Sequence, residues 1–261
     1  MFQKSDLTKQ IKQMGILPTD TVLIHTSMRA IGEVEGGADG VIDAFRDYLT
    51  EGLFLVPTHT WSVVTENQPV YDVRSSVPNI GALPRAAAAR TDGVRSLHPT
   101  HSMWGIGKDA AAYLKNEENA ATPSAPGFAW ERLYTRNTKI LLIGVNNTKN
   151  TFIHSVEEFA DIPDRLASTS YEITAIDYDG VAHSHPYTTY ECSRCRDVSR
   201  QFDTVEKPFF EMGVQQLGRL GNAEVRVVDA RKCRELLLRI FSRADRDLCI
   251  EPMEIPAEWY R

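Results

Sequence analysis

The chain has 261 residues, with 29 lysines and arginines against 35 aspartates and glutamates, and is 42% hydrophobic and 25% charged. That composition excludes a disordered chain, and the net charge of −6 disfavours non-specific binding to nucleic acid or an anionic membrane surface. No apolar run approaches the roughly 18 residues of a membrane span, the first residues lack a signal peptide's apolar core, and four cysteines make no disulfide framework. The expectation is one domain over residues 1–261, cytoplasmic and reduced.

Leu7, Ile11 and Met14 share one helical face, with Ser5 as the expected N-cap and Gly15 as the stop. Thr21 to His25 reads as a short, β-branched strand. After the Gly36-Gly37 turn, Val41, Ile42, Phe45 and Leu49 repeat at helical spacing as far as Gly52. Leu53 to Val56 is a strand stopped by Pro57, residues 58–79 read as loop, and Arg85 to Arg90 as helix. Ile140 to Val145 is the clearest buried strand, and a helix carries His154 to Ala160 until Pro163 stops it. Tyr171 to Ile176 alternates like a strand, and Asp179-Gly180 signals a hairpin. Glu224 to Val228 reads as a strand, after which Asp229 caps a helix with Leu236, Leu237, Ile240 and Phe241 on one face. Alternating helices and strands with a hairpin predict a mixed sheet covered by helices on both faces.

The sequence holds no G-x-G-x-x-G or P-loop, no G-x-S-x-G elbow and no H-E-x-x-H helix, so a dinucleotide fold, an NTPase and a zincin are unsupported. His25 and His59 each follow a strand, where sites on α/β folds lie. His98 and His101 share one loop, and His183 and His185 flank a serine in an expected turn. His154 and Glu157 form the sharpest pair. Three residues apart on a helix they share a face, and a carboxylate on one ring nitrogen fixes the tautomer and raises the basicity of the other. Asp161 would extend that face; the competing reading is a solvated acidic helix face. Cys192 and Cys195 form a single C-x-x-C, which offers two of a structural zinc's four ligands, with Cys233, His183 or His185 as further donors. The small-residue loop from Thr122 to Leu133 could line a narrow channel.

These stretches together resemble the aminoglycoside 3-N-acetyltransferase family, also called the antibiotic N-acetyltransferase or YokD-like family. The resemblance is carried by residues 23–32 and 34–37, Val56-Pro57-Thr58, Tyr71-Asp72 through Leu83, Arg95 to Ser102, Thr122 to Leu133, Lys139 to Val145, and Asn150 to His154 with Glu157, all in the family's order. It implies a three-layer α/β/α sandwich with a mixed sheet, distinct from the GNAT fold. It implies acetyl transfer from acetyl-coenzyme A to an amine, in the best-known cases N3 of the 2-deoxystreptamine ring of an aminoglycoside, and hence antibiotic resistance. It places the catalytic base on His154 and its partner on Glu157. The coenzyme's surroundings fall on His25, Thr26, Ser27, Met28, Arg29, Ile31, Gly32, His98, Ser102 and Phe128. Thr26, Ser27 and Ser102 are alternative oxyanion donors. The implied partners are acetyl-coenzyme A and a small cationic amine, without nucleic acid or membrane; no metal is required, and a homodimer is left open. Phe128-Ala129 stands where the family usually has Ser-Pro, and His59 where an aromatic residue is more familiar. The rival readings are a zinc-dependent hydrolase and a non-catalytic coenzyme A binding protein.

Overall fold

Strand β1 (Thr21–Thr26) shows how the layers form. Leu23 points to one side of the sheet, while Val22 and Ile24 point to the other, and all three are buried. Strand β6 (Lys139–Ile143) repeats this, Ile140 and Leu142 facing one core and Leu141 and Ile143 the second. A sheet apolar on both faces must be covered on both. The computed structural model, which describes residues 1–195, 197–243 and 254–261, shows that covering. The remaining strands are β2 (Leu53–Pro57), β3 (Val70–Asp72), β4 (Val94–Arg95), β5 (Met103–Gly107), β7 (Tyr171–Ile176), β8 (Ala182–Tyr187), β9 (Gln215–Leu220) and β10 (Ala223–Asp229). The α-helices are α1 (Lys4–Gln13), α2 (Met28–Ile31), α3 (Gly37–Tyr48), α4 (Ala82–Ala89), α5 (Ala110–Tyr113), α6 (Ala129–Thr135), α7 (Phe152–Phe159), α8 (Glu206–Glu211) and α9 (Ala230–Phe241).

Seven strands form one mixed sheet in the order β4-β5-β2-β1-β6-β10-β9, with β2, β1 and β6 parallel at its centre. Helices α1, α3 and α4 cover one face through Leu7, Ile11, Phe45 and Leu83. Helices α6, α7, α8 and α9 cover the other through Trp130, Phe152, Phe209 and Leu237. This is the three-layer α/β/α architecture the sequence implied. None of the described helices is long and apolar enough to cross a membrane.

Several local expectations change. The N-cap of α1 is Gln3, in a reciprocal capping box with Asp6, and Ser5 lies inside the helix. Gly15 does take the left-handed conformation after the helix, at φ 78°. The stretch read as loop over residues 58–79 contributes β3, which pairs with β7 in a separate three-stranded sheet completed by β8. His183 and His185 lie on β8 rather than in a turn. Asp229 caps α9 by accepting from the Lys232 N–H.

Candidate active site

The three parallel strands end at one edge of the sheet. At that edge lie His25-Thr26 at the end of β1, Pro57 at the end of β2 with Thr58-His59 after it, and the loop from Val145 to Thr151 that leads from β6 into α7. A cleft of about 940 Å³ opens over this edge, lined by residues of all three segments. Ligands of open α/β sheets bind in such a place, beyond the carboxyl ends of the strands.

Helix α7 anchors itself by burying Phe152, Ile153 and Val156 in the core. That turns His154 toward the cleft, which it lines. Its Nδ1 is 3.0 Å from Glu157 Oε2, so the ring donates from Nδ1 and leaves the Nε2 lone pair for a proton. Glu157 is 1% exposed, and its other oxygen accepts from Arg165 Nε at 2.7 Å. The carboxylate is therefore clamped from both sides, and the solvated acidic face does not exist. Asp161 lies beyond the end of the helix, at φ 52°, rather than a further turn along it. Tyr190 lies against the imidazole at 4.5 Å between centroids, and Phe202 presents its edge at 4.6 Å.

Four more histidines stand beneath and beside this group. His98 accepts from the backbone N–H groups of Thr100 and His101 at Nδ1 and faces the Thr122 carbonyl at Nε2, which assigns it to holding its own loop. His101 Nδ1 meets the Thr100 hydroxyl, which also meets the Tyr187 hydroxyl. Trp130 donates from Nε1 to the His101 carbonyl, while the rings of His25 and His59 pack near the same indole. Burial disfavours the charged imidazolium in all four. It pushes His25 down to about 3 and His98 to about 4, and holds His59 and His101 well below the usual imidazole range. They are neutral at neutral pH. His25, His59 and His101 line the cleft.

Of the residues expected around coenzyme A, His25 and Thr26 line the cleft. The others lie elsewhere. Ser27 caps the single turn α2, accepting from the Ala30 N–H at 3.3 Å. Met28 and Arg29 sit on that turn, Ile31 is in the core, and Gly32 follows at φ 89°, where a Cβ would come within 2.8 Å of Asn222 Nδ2. Ser102 is buried against Thr58, and Phe128 is the half-buried N-cap residue of α6. Among the three oxyanion candidates, Thr26 is the one on the cleft wall. Sequence reasoning missed Arg165, Tyr190 and Phe202, which complete the surroundings of His154. Only tertiary folding brings them there, and no spacing signals it.

The C-x-x-C pair is not joined by its proposed partners. Cys192 lines the cleft with its Sγ 2.8 Å from Cys195 Sγ. His183 instead bonds Asp177, His185 faces the Ala120 carbonyl, and Cys233 is buried on α9. Among the described residues no three His, Cys, Asp or Glu side chains converge as a metal site.

The family model for aminoglycoside 3-N-acetyltransferases matches residues 23–242. The chain belongs to that family. Aminoglycoside N(3)-acetyltransferase III of Serratia marcescens is 27% identical over 240 residues, covering 83% of this chain and 88% of the relative. Among solved structures, the aminoglycoside acetyltransferase AAC(3)-Xa superposes with a TM-score of 0.79 at 25% identity, covering 93% of each chain. AAC-IIIb in a binary complex with CoASH shares the fold, with a TM-score of 0.77 at 19% identity over 90% of this chain and 94% of that one. Both solved structures share the fold of this chain.

Proposed function

We propose that the chain is an acetyl-coenzyme A dependent N-acetyltransferase acting on an amine of an aminoglycoside or a related compound, with His154 as general base and Glu157 as its positioning partner. The carrying observation is the chain of contacts from Arg165 through Glu157 to His154, ending on the cleft at the carboxyl edge of the sheet. A 27% identical relative named as an aminoglycoside N(3)-acetyltransferase and a similar fold solved with CoASH support the choice of substrates.

The chemistry follows from the arrangement. An amine attacks the thioester carbonyl, a C–N bond forms, and the tetrahedral oxyanion collapses with cleavage of C–S. The amine must lose a proton on the way, and the Nε2 lone pair of His154 receives it. Glu157 stabilises the imidazolium that results. A positioned base of this kind contributes about 10²–10⁴-fold, and holding both substrates in one cleft adds about 7–11 kcal/mol at best. Arg165 supplies a buried countercharge to Glu157 and fixes the orientation of its carboxylate toward His154. Thr26 is the candidate for stabilising the oxyanion.

The test is thiol release from acetyl-coenzyme A across a panel of amines. His154→Ala should lower turnover by at least about 10²-fold, with coenzyme A binding by calorimetry retained. A variant at the wild-type rate overturns the base assignment, and a wild-type chain that binds coenzyme A without acetylating any amine overturns the enzymatic reading.

A further inference from the structure

Acetyl transfer makes no use of the cysteine pair, yet the fold ties that pair to the corner that holds His154. Leu166 bridges Tyr190, and the Glu191 N–H donates to the Arg165 carbonyl at 3.1 Å. Asp164, the residue before Arg165, accepts from the Ser193 N–H at 2.8 Å and from Arg194 Nε at 3.1 Å. The segment that clamps Glu157 therefore also holds the C-x-x-C loop. Tyr190 lies against the His154 ring, and Cys192, two residues later, lines the same cleft.

The two sulfurs are not equivalent. Cys192 Sγ faces two donors, the Cys195 S–H at 2.8 Å and the Cys195 N–H at 3.2 Å. Its own S–H meets Asp164 Oδ2 at 3.5 Å, a carboxylate whose charge Arg194 offsets. Burial and the neighbouring Cys192 sulfur push the Cys195 thiol up to about 11, so Cys195 keeps its proton while Cys192 reacts. Cys192, on the cleft wall, is thus placed to attack a sulfur bound there, and Cys195, already in contact with it, to resolve the product. Cys233 is buried on α9 and takes no part.

We propose that the cleft carries a second chemistry, thiol–disulfide exchange with a disulfide of coenzyme A, in which Cys192 attacks and Cys195 resolves. This rests on the reading above, that coenzyme A binds here with its sulfur toward His154, and adds an oxidised form of the same ligand. Cys192 Sγ bonds to one coenzyme sulfur as the coenzyme's S–S bond breaks, and the first coenzyme A leaves. Cys195 Sγ then attacks Cys192 Sγ, and the second coenzyme A leaves. The two cysteine protons end on the two released thiols. The coenzyme disulfide is reduced, the cysteine pair is oxidised to one disulfide, and an added dithiol such as dithiothreitol reverses the oxidation. While a coenzyme is held covalently it fills the cleft, and acetyl transfer stops.

The experiment treats the full chain with coenzyme A disulfide and follows intact mass, coenzyme A release by chromatography, and acetyl transfer. The wild-type chain should lose the mass of two hydrogens as it releases two coenzyme A molecules, and peptide mapping should place the new bond between Cys192 and Cys195. Cys195→Ser should stop at the mixed disulfide, with one coenzyme A on Cys192. Its acetyl transfer should fall at least about tenfold against the same variant untreated and return with dithiothreitol. Cys192→Ser should gain no coenzyme A in the same time. Glutathione disulfide at equal concentration should modify Cys195→Ser at least about tenfold more slowly, since it is not held in the cleft before attack. A Cys195→Ser chain that stays unmodified, or that reacts equally with both disulfides, overturns this inference while acetyl transfer through His154 stands. So does a wild-type bond mapped to Cys249, which lies outside the described residues. A chain that neither binds coenzyme A by calorimetry nor releases thiol from acetyl-coenzyme A overturns the inference together with the reading beneath it.

Discussion

Replacing Glu157 by glutamine separates what the carboxylate does for the fold from what it does for the reaction. The two side chains are nearly isosteric, and the site is closed, with Glu157 1% and Arg165 3% exposed. The glutamine carbonyl oxygen will turn to Arg165, because an amide N–H against a guanidinium leaves two donors face to face. Its NH₂ group then faces His154 Nδ1, across the 3.0 Å that the carboxylate oxygen now spans. To accept from that NH₂ group, Nδ1 must lose its proton, which moves to Nε2. The cleft-facing nitrogen becomes a donor and cannot take the amine's proton. Turnover should fall by about 10²–10⁴-fold with little change in the KM for either substrate. The Arg165 contact survives as a hydrogen bond to a neutral group, so the stability cost should be about 1–3 kcal/mol, well short of an orphaned charge. Thiol-release kinetics and urea unfolding of the same preparation measure the two effects. A glutamine variant with near wild-type kcat would refute the claim that this carboxylate sets the tautomer of His154.

Arg165→Met removes the other half of the clamp and leaves a buried carboxylate beside His154. It should cost about 3–5 kcal/mol in chemical unfolding, and a loss below 1 kcal/mol would mean that Glu157 finds another partner. Gly144, at φ 65°, turns the chain between β6 and the loop that leads to α7, and a methyl there would collide with Ala30 Cβ. Gly144→Ala should lower stability by more than the ~1 kcal/mol of a strained glycine replacement, and unchanged thermal unfolding would show that the turn can relax. Glu117 is 1% exposed, accepts from the Ala129 N–H, and is pushed up to about 8 by burial in spite of Arg132 nearby. A raised carboxyl binds its proton more tightly folded than unfolded, so its contribution is present below about 4.3, the unfolded value. That contribution is lost as pH rises toward 8. Glu117→Gln should therefore gain stability relative to wild type between pH 5 and 8, and parallel stability curves across that range would contradict it.

The legible parts of the fold were those decided by neighbours in sequence. The central strands β1, β2 and β6 are near-continuous apolar runs because both of their faces are covered, and α3 and α9 carry wide apolar stripes. What escaped was decided by partners distant in sequence. The three residues of β3 are too short a run to stand out as a strand, although Val70 and Tyr71 favour one, and they are extended because β7 pairs with them. His183-Ser184-His185 looked like a turn because its composition is polar, but β8 needs only the hydrogen bonds of β7 to stay extended. In the site, the i, i+3 spacing exposed His154 and Glu157, whereas Arg165 was invisible. It reaches Glu157 only because the chain doubles back through Asp161 at φ 52° and Asp164 at φ 60°. Neither residue is a glycine, so the reversal left no mark in the sequence.

The same clamp argues that this corner of the molecule is arranged for chemistry more than for stability. A buried Arg–Glu pair gains little over well-packed apolar side chains of the same size, because both charges must be stripped of water first. Placed elsewhere on α7, such a pair would be a weakness. Beside His154 it supplies what an apolar pair cannot: an acceptor that fixes the imidazole proton on Nδ1 and a countercharge ready when Nε2 is protonated. The neighbouring histidines complete the contrast. Each is buried with no carboxylate partner among the described residues and is held neutral by burial. Among the described residues, His154 is the cleft imidazole with a carboxylate bonded to it, and that difference supports the proposed proton transfer at His154.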